Sequence, residues 1–414
     1  MKKIHYRTID GNSIGFGSLI AFLGLLIAVG LGAAVYMEHN GHWVTGMNNQ
    51  IVWGTPHVFA VFLIVAASGA LNVASISSVF AKVPYKPLAR LSGLLAITLL
   101  VGGLAVLVLD LGRPDRLIVA MTTYNFKSIF AWNIYLYVGF IAIVAVYLWT
   151  MMDFQVMNFT KTAGTVAFLW RLALTTGTGS IFGFLVAREA YNTAIMAPMF
   201  IIMSFSFGLA IYLLVLICAY RWTNRPLGDR TVRRLKNLLA TFVAAVFYFT
   251  LVYHLTNLYI TKQHGIERFI LLDGGIYTQL FWIGQMLVGT ALPLILLLVP
   301  AFSRSRISVV LASTLVILGG LSQIYVIIIG GQAFPLQMFP GMEVSSSFHD
   351  GIVNQYAPSL PEVLLGIGGM ALALAATVFA LKVLPFLPAS LADEEVDPHH
   401  KAEAEPAEST AEAA

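Results

Sequence analysis

The sequence predicts an all-α integral membrane protein of about ten transmembrane helices, on three observations. Hydrophobic residues make up 58% of the 414-residue chain and charged residues only 11%, a balance too apolar for a soluble domain. Apolar runs long enough to cross roughly 30 Å of hydrocarbon recur along almost its whole length. Lys and Arg gather in alternate connecting segments, as the positive-inside rule asks of a multi-pass chain.

The helices are expected at about 14–37, 53–81, 89–110, 129–152, 162–187, 194–220, 235–262, 276–300, 306–330 and 361–387. The first follows Lys2, Lys3 and Arg7 but is longer than a signal-peptide core, so it is taken as a span after a cytoplasmic N-terminus, 1–13. At the second, Thr55 suits a cap and Pro56 the first helical position. Gly112 and Pro114 stop the third, and Phe130 to Tyr135 begins the fourth with an aromatic cluster. The fifth carries Arg171, the costliest residue in the sequence, for which Asn72 is the expected partner, either in a structural bond or in a water-filled proton path. Thr176–Ser180 has the look of a phosphate loop but lies inside an apolar helix, where close packing accounts for its glycines.

Segment 331–360 has no Lys or Arg and is rich in apolar residues, among them Phe334, Pro335, Leu336, Met338, Phe339 and Pro340. It is expected to fold over the outer face or dock a partner; His349-Asp350 within it matches no metal motif. Residues 14–387 form the membrane domain, and 388–414, Ala/Glu-rich, are expected to be a disordered acidic cytoplasmic tail.

Of the 24 Lys and Arg, only Arg113, Arg116, Lys127, Arg188, Lys262 and Arg268 fall in expected outer segments, with Arg171 inside a helix. The rest fall inside, so both termini are expected in the cytoplasm. A bacterial inner membrane is the expected location. The basic loops thus orient the protein in lipid, and no nucleic-acid partner is implied. Cys218 is alone, so the sequence allows no internal disulfide and lacks the thiolates of an iron–sulfur cluster.

Function points to the outer rim. Asp110-Leu111-Gly112-Arg113-Pro114-Asp115-Arg116 crowds charge at the end of an apolar helix, where it persists mainly for binding or transport, though a structural Asp110–Arg113 bridge is an equal reading. A carboxylate at a helix C-terminus lies in an unfavourable field, so Asp110 should pair with Arg113 or Arg116, or exchange protons. His57, in the first turn of the second helix, suits a neutral imidazole that donates one hydrogen bond and accepts another, as a quinone carbonyl needs; an interfacial histidine bonded to a loop is the bland alternative. Trp132, Asn133 and Tyr135 lie at the same level, and Trp132 also fits an ordinary aromatic belt. Arg188, Glu189 and His254 are plausible supporting groups. No metal spacing is recognisable, and a haem b bridging two helices would have only His57 and His254, both in the outer half, though one such haem stays open.

These residues carry a resemblance. The ten spans, the DLGRPDR motif at 110–116 and His57 resemble the NrfD/PsrC family of quinone-interacting membrane subunits. Within it, the stretch from Trp53 to Tyr124 is most similar to the DsrP type of the DsrMKJOP complex, with the HybB-type hydrogenase subunit as rival. The resemblance implies two four-helix bundles, helices 2–5 and 6–9, with helices 1 and 10 outside them. It implies menaquinone or ubiquinone near the outer surface, held by His57. From the placement of the residues themselves, Tyr135 or Asn133, with Trp132, is expected to form the ring surroundings, and Asp110 to relay protons under the influence of Arg113 and Arg116. The resemblance also implies a periplasmic iron–sulfur protein of DsrO type as partner, together with a multihaem cytochrome c, a haem b membrane subunit and a cytoplasmic iron–sulfur subunit. The asparagine that accompanies the histidine in polysulfide reductase has no counterpart among Gly54, Thr55 and Pro56. The competing classes are a secondary transporter, whose sites use broken helices at the midplane, and a purely structural anchor.

Overall fold

The computed structural model describes residues 4–11, 13–336 and 351–396. Among them, the long helices in sequence order are α1 Ile14–Asn40, α2 Thr55–Ser78, α3 Val83–Leu109, α4 Ile129–Met152, α5 Thr160–Gly183, α6 Met196–Trp222, α7 Asp229–Tyr259, α8 Ile276–Leu298, α9 Arg306–Ala333 and α10 Leu360–Val383. All but α5 are long and apolar enough to cross a membrane; α5 has the length, but Arg171 and a Thr/Gly-rich centre lower its hydropathy. The protein is a multi-pass, all-α membrane protein.

Helices α2 to α5 close into one four-helix bundle and α6 to α9 into a second, joined where α2 lies against α6 and α9. α10 packs on α3 and α2, and α1 packs on α10. Small residues allow the tight seams: a Cβ on Gly208 of α6 would lie 2.1 Å from Ala70 N of α2, and one on Gly30 of α1 2.8 Å from Gly368 Cα of α10.

α2 bends at Leu71 because Ser92 of α3 enters its hydrogen-bond ladder. The hydroxyl donates to Ala70 O at 2.6 Å and accepts from Ala74 N at 3.0 Å, bridging the two groups that a straight helix would pair. α8 and α9 contain π-helical stretches over Leu280–Ala291 and Val326–Gly330.

On one face, β1 (Tyr6–Arg7) pairs antiparallel with β2 (Leu387–Pro388), which brings the two ends of the described residues together. Packed structure runs past the expected boundary at 388, because Leu391 and Val396 are buried and Leu391 N donates to Pro226 O at 2.9 Å. Residues 397–414 lie outside the described residues. So do Met338, Phe339, Pro340, His349 and Asp350, whereas Phe334 packs against Phe269 and Asn354 N donates to Ala333 O at 3.0 Å.

Candidate functional site

α2 opens on the face opposite the strands, and its entry is held from several directions. Gln332, at the end of α9, accepts from Val52 N and Trp53 N at 3.0 and 3.1 Å and donates to Trp53 O at 3.0 Å. Arg188 donates to Gln50 O at 2.7 Å and to Gln332 O at 2.8 Å. Helix α2 begins at Thr55 with Gly54 at the cap position, so Thr55 does not cap it with its side chain. Instead Thr55 N, an orphan donor of the first turn, bonds to the Tyr356 hydroxyl at 2.7 Å. Burial pushes the Tyr356 hydroxyl well above its ordinary pKa, so it keeps its proton and donates to Glu362 Oε1 at 2.7 Å. Glu362, fully buried, also accepts from Gly46 N at 2.9 Å and Ser359 N at 2.7 Å.

The framework presents His57 to Asp110. Their Nδ1 and Oδ2 atoms are 2.9 Å apart, and His42 Nε2 lies 3.9 Å from Oδ1 of the same carboxylate. The Asp110 side chain is 1% exposed, that of His57 18% and that of His42 27%. These are close approaches without aligned hydrogen bonds: His57 Nδ1, His42 Nε2 and both Asp110 oxygens are buried with no hydrogen-bond partner among the described residues. Orphaned polar atoms converging at one place call for a ligand or water. Gly112, at φ +68°, makes the turn that ends this region, and a Cβ there would lie 3.2 Å from the His42 ring.

The expected pairing of Asp110 with Arg113 or Arg116 is not formed. Arg113 reaches outward to Asp115, with Nε–Oδ1 and Nη2–Oδ2 both at 3.0 Å, and this bond holds the Asp115 carboxyl below its ordinary pKa. Arg116 is exposed. Three residues after the helix, the backbone has already turned at Gly112 and points the guanidinium away.

Trp53 is the aromatic neighbour of His57, with ring centroids 6.4 Å apart, and it also meets Phe130, Phe182 and Tyr191. The other aromatic candidates behave differently. Trp132 and Tyr135 are exposed and bond to Phe126 O and Met121 O. Asn133 is buried, with Nδ2 donating to Ile129 O at 2.9 Å and Gly177 O at 3.1 Å, so it fastens α4 to α5.

Arg171 and Asn72 are both buried, but they do not bond each other. Arg171 Nη1 donates to Ser68 O at 3.2 Å, its guanidinium lies over Phe168 and Phe205, and Asn72 Nδ2 has no hydrogen-bond partner. The bend in α2 aims the Ser68 carbonyl at the arginine more readily than the Asn72 side chain. His254 pairs with buried Glu267, Nδ1 to Oε2 at 2.7 Å, and Asn257 donates to the other oxygen at 2.8 Å. α5 ends at Gly183, earlier than the expected 187, and Arg188 and Glu189 lie beyond it; burial raises the Glu189 pKa, opposed by Lys262. No cluster of three or more His, Cys, Asp or Glu with metal-holding geometry occurs among the described residues.

Sequence reasoning missed His42, Gln332, Tyr356 and Glu362. Only Glu362 left a legible signal, the Ser359-x-x-Glu362 capping-box spacing before an apolar run.

Residues 43–336 match the family described as polysulphide reductase, NrfD, a span that takes in both four-helix bundles and leaves α1 and α10 outside. The protein belongs to the NrfD family. Within that family it is similar to the Hdr-like menaquinol oxidoreductase integral membrane subunit of Archaeoglobus fulgidus, 28% identical over 95% of this sequence and 99% of the relative. It is 21% identical to a selenate reductase subunit of Mesobacillus selenatarsenatis, over 93% of this sequence and 94% of that one. It is 23% identical to a polysulfide reductase component of Wolinella succinogenes, over 69% of this sequence and 96% of that one. The matched NrfD span thus holds the two bundles entire, and His42 stands just before it.

Proposed function

We propose that this NrfD-family protein is the quinone-reactive membrane subunit of a respiratory or sulfur-metabolism oxidoreductase complex. The observation that carries the reading is the His57–Asp110–His42 cluster, on the face opposite β1 and β2, whose buried polar atoms lack partners among the described residues. The donor set fits a quinone: a half-buried imidazole, a buried carboxylate behind it and an aromatic neighbour in Trp53. When bound, a quinone supplies a two-electron, two-proton couple.

The protein's own residues would manage position and protons. Asp110 lies against the Nδ1 edge of the His57 ring, which would leave Nε2 to bond a ligand oxygen or hold its proton. Exposure rises from Asp110 to His57 to His42, so His42 is the exit for a proton held at Asp110. The Gln332, Arg188 and Tyr356 bonds fix the start of α2 and with it the imidazole.

The name of the Archaeoglobus relative favours menaquinone over ubiquinone. The positive-inside bias favours cytoplasmic termini in an inner membrane, with the site on the periplasmic side beside an iron–sulfur partner of DsrO type. A multihaem cytochrome c, a haem b membrane subunit and a cytoplasmic iron–sulfur subunit would complete a complex of the DsrP kind.

The test is His57→Ala in the assembled complex. Turnover with a soluble quinol analogue should fall by roughly 10²-fold or more, the range for losing a positioned acid–base group, while the subunits still copurify. Unchanged turnover together with unchanged binding of a quinone-site inhibitor would remove His57 from the site.

A further inference from the structure

Between α1 and α10 on one side and α6 on the other, above α2, the helices line a groove of about 1200 Å³, above the roughly 300–1,000 Å³ usual for small-molecule sites. Its walls are apolar, with Leu19 of α1, Val215 of α6 and Leu374 of α10 over a floor that includes Phe62. Along α10 the lining runs from Met370 to Leu381, a rise of roughly 16 Å, which is about half of the ~30 Å hydrocarbon thickness. The groove is therefore one leaflet deep. Its mouth lies on the face of β1 and β2 and carries Arg7, Asp10 and Arg225. Arg225 is pinned there by bonds to Arg7 O and Thr8 O, while Arg7 is exposed.

We propose that this groove binds one anionic diacylphospholipid of the phosphatidylglycerol class, with its acyl chains between α1, α6 and α10 and its phosphate at Arg7 and Arg225. Arg7, Arg225 and Lys382, whose ammonium bonds Gly11 O and lies over Phe16, face the single Asp10 carboxylate, so the mouth is net positive, which favours an anionic headgroup over a zwitterionic one. A second quinone would leave both arginines unused. A transmembrane helix of a partner needs the full membrane height, and the groove offers half. The bound lipid would seal the seam between the two outlying helices and the bundles.

Cys218, the one cysteine of the protein, lines the groove on α6 and reports its occupancy. The full-length protein is reconstituted in phosphatidylcholine nanodiscs with or without phosphatidylglycerol, alkylation of Cys218 by a membrane-permeant bimane is followed, and retained lipid is counted by native mass spectrometry. One retained phosphatidylglycerol and alkylation slowed on the order of tenfold are expected, the effect of two arginines at a headgroup. Because Arg225 also fastens the N-terminal segment, the variants are Arg7→Ala, which should lose most of the protection, and Arg225→Lys, which should keep it. Equal protection by phosphatidylcholine alone, a retained quinone in place of the lipid, or full protection in Arg7→Ala would each overturn the proposal.

Discussion

Asp110 is buried at the C-terminal end of α3 with two imidazoles for company and no arginine. A buried carboxylate so placed is stable when a neighbouring group donates a bond to it, and the imidazoles of His57 and His42 are the side chains beside it. Asp110→Asn keeps the size of the side chain and removes its proton exchange. The complex should assemble, with turnover slowed by roughly 10²-fold and a flattened pH–rate profile; superposition of that profile on the wild type would exclude Asp110 as a proton carrier. His42→Gln, farther from the carboxylate and more exposed, should slow turnover less and leave inhibitor binding intact, measured on the same complex. Asp110 was legible because charge at the end of an apolar helix is conspicuous. Its partners were not: Arg113 is nearer in sequence, but Asp115 is nearer still in the turn, and His42 arrives from the end of another helix.

At the scale of elements, helix existence followed from apolar length, and helix shape did not. The bend in α2 depends on a serine in α3 that no pattern in α2 announces. Ser92→Ala would leave Ala70 O and Ala74 N without that hydroxyl in a water-poor interior, at a cost of about 1–3 kcal/mol. The purified protein should melt at a lower temperature while inhibitor binding at the far rim persists, and an unchanged melting temperature would show that the bend does not need Ser92. The same limit explains Arg171. Its depth was readable from the length of α5, but its acceptor, Ser68 O, is a backbone group exposed to it only by the packing of α2 on α5.

For the whole molecule, the proposed orientation follows from charge placement. A reporter fused after Arg225 should read cytoplasm and one at Gly351 the outside; the reverse would move the His57 site to the cytoplasmic face and with it the partner subunits. Both ends of the described residues meet at the β1–β2 pair, so a reporter at the C-terminus should agree with the first. The two bundles were expected from family resemblance, and the packing of α2 to α5 and α6 to α9 agrees with it.

Sequence alone determined that the protein spans the membrane repeatedly as helices, because apolar length and the need to satisfy every backbone group in lipid leave no other solution. It also singled out His57 and Asp110, since polar groups at membrane depth stand out against an apolar background. Tertiary structure decided which polar groups meet. It turned Arg113 away, committed Asn133 to the α4–α5 seam, and brought His42, Gln332, Tyr356 and Glu362 to the start of α2. Those contacts join segments far apart in the sequence, and their geometry comes from close helix packing, which periodicity does not encode.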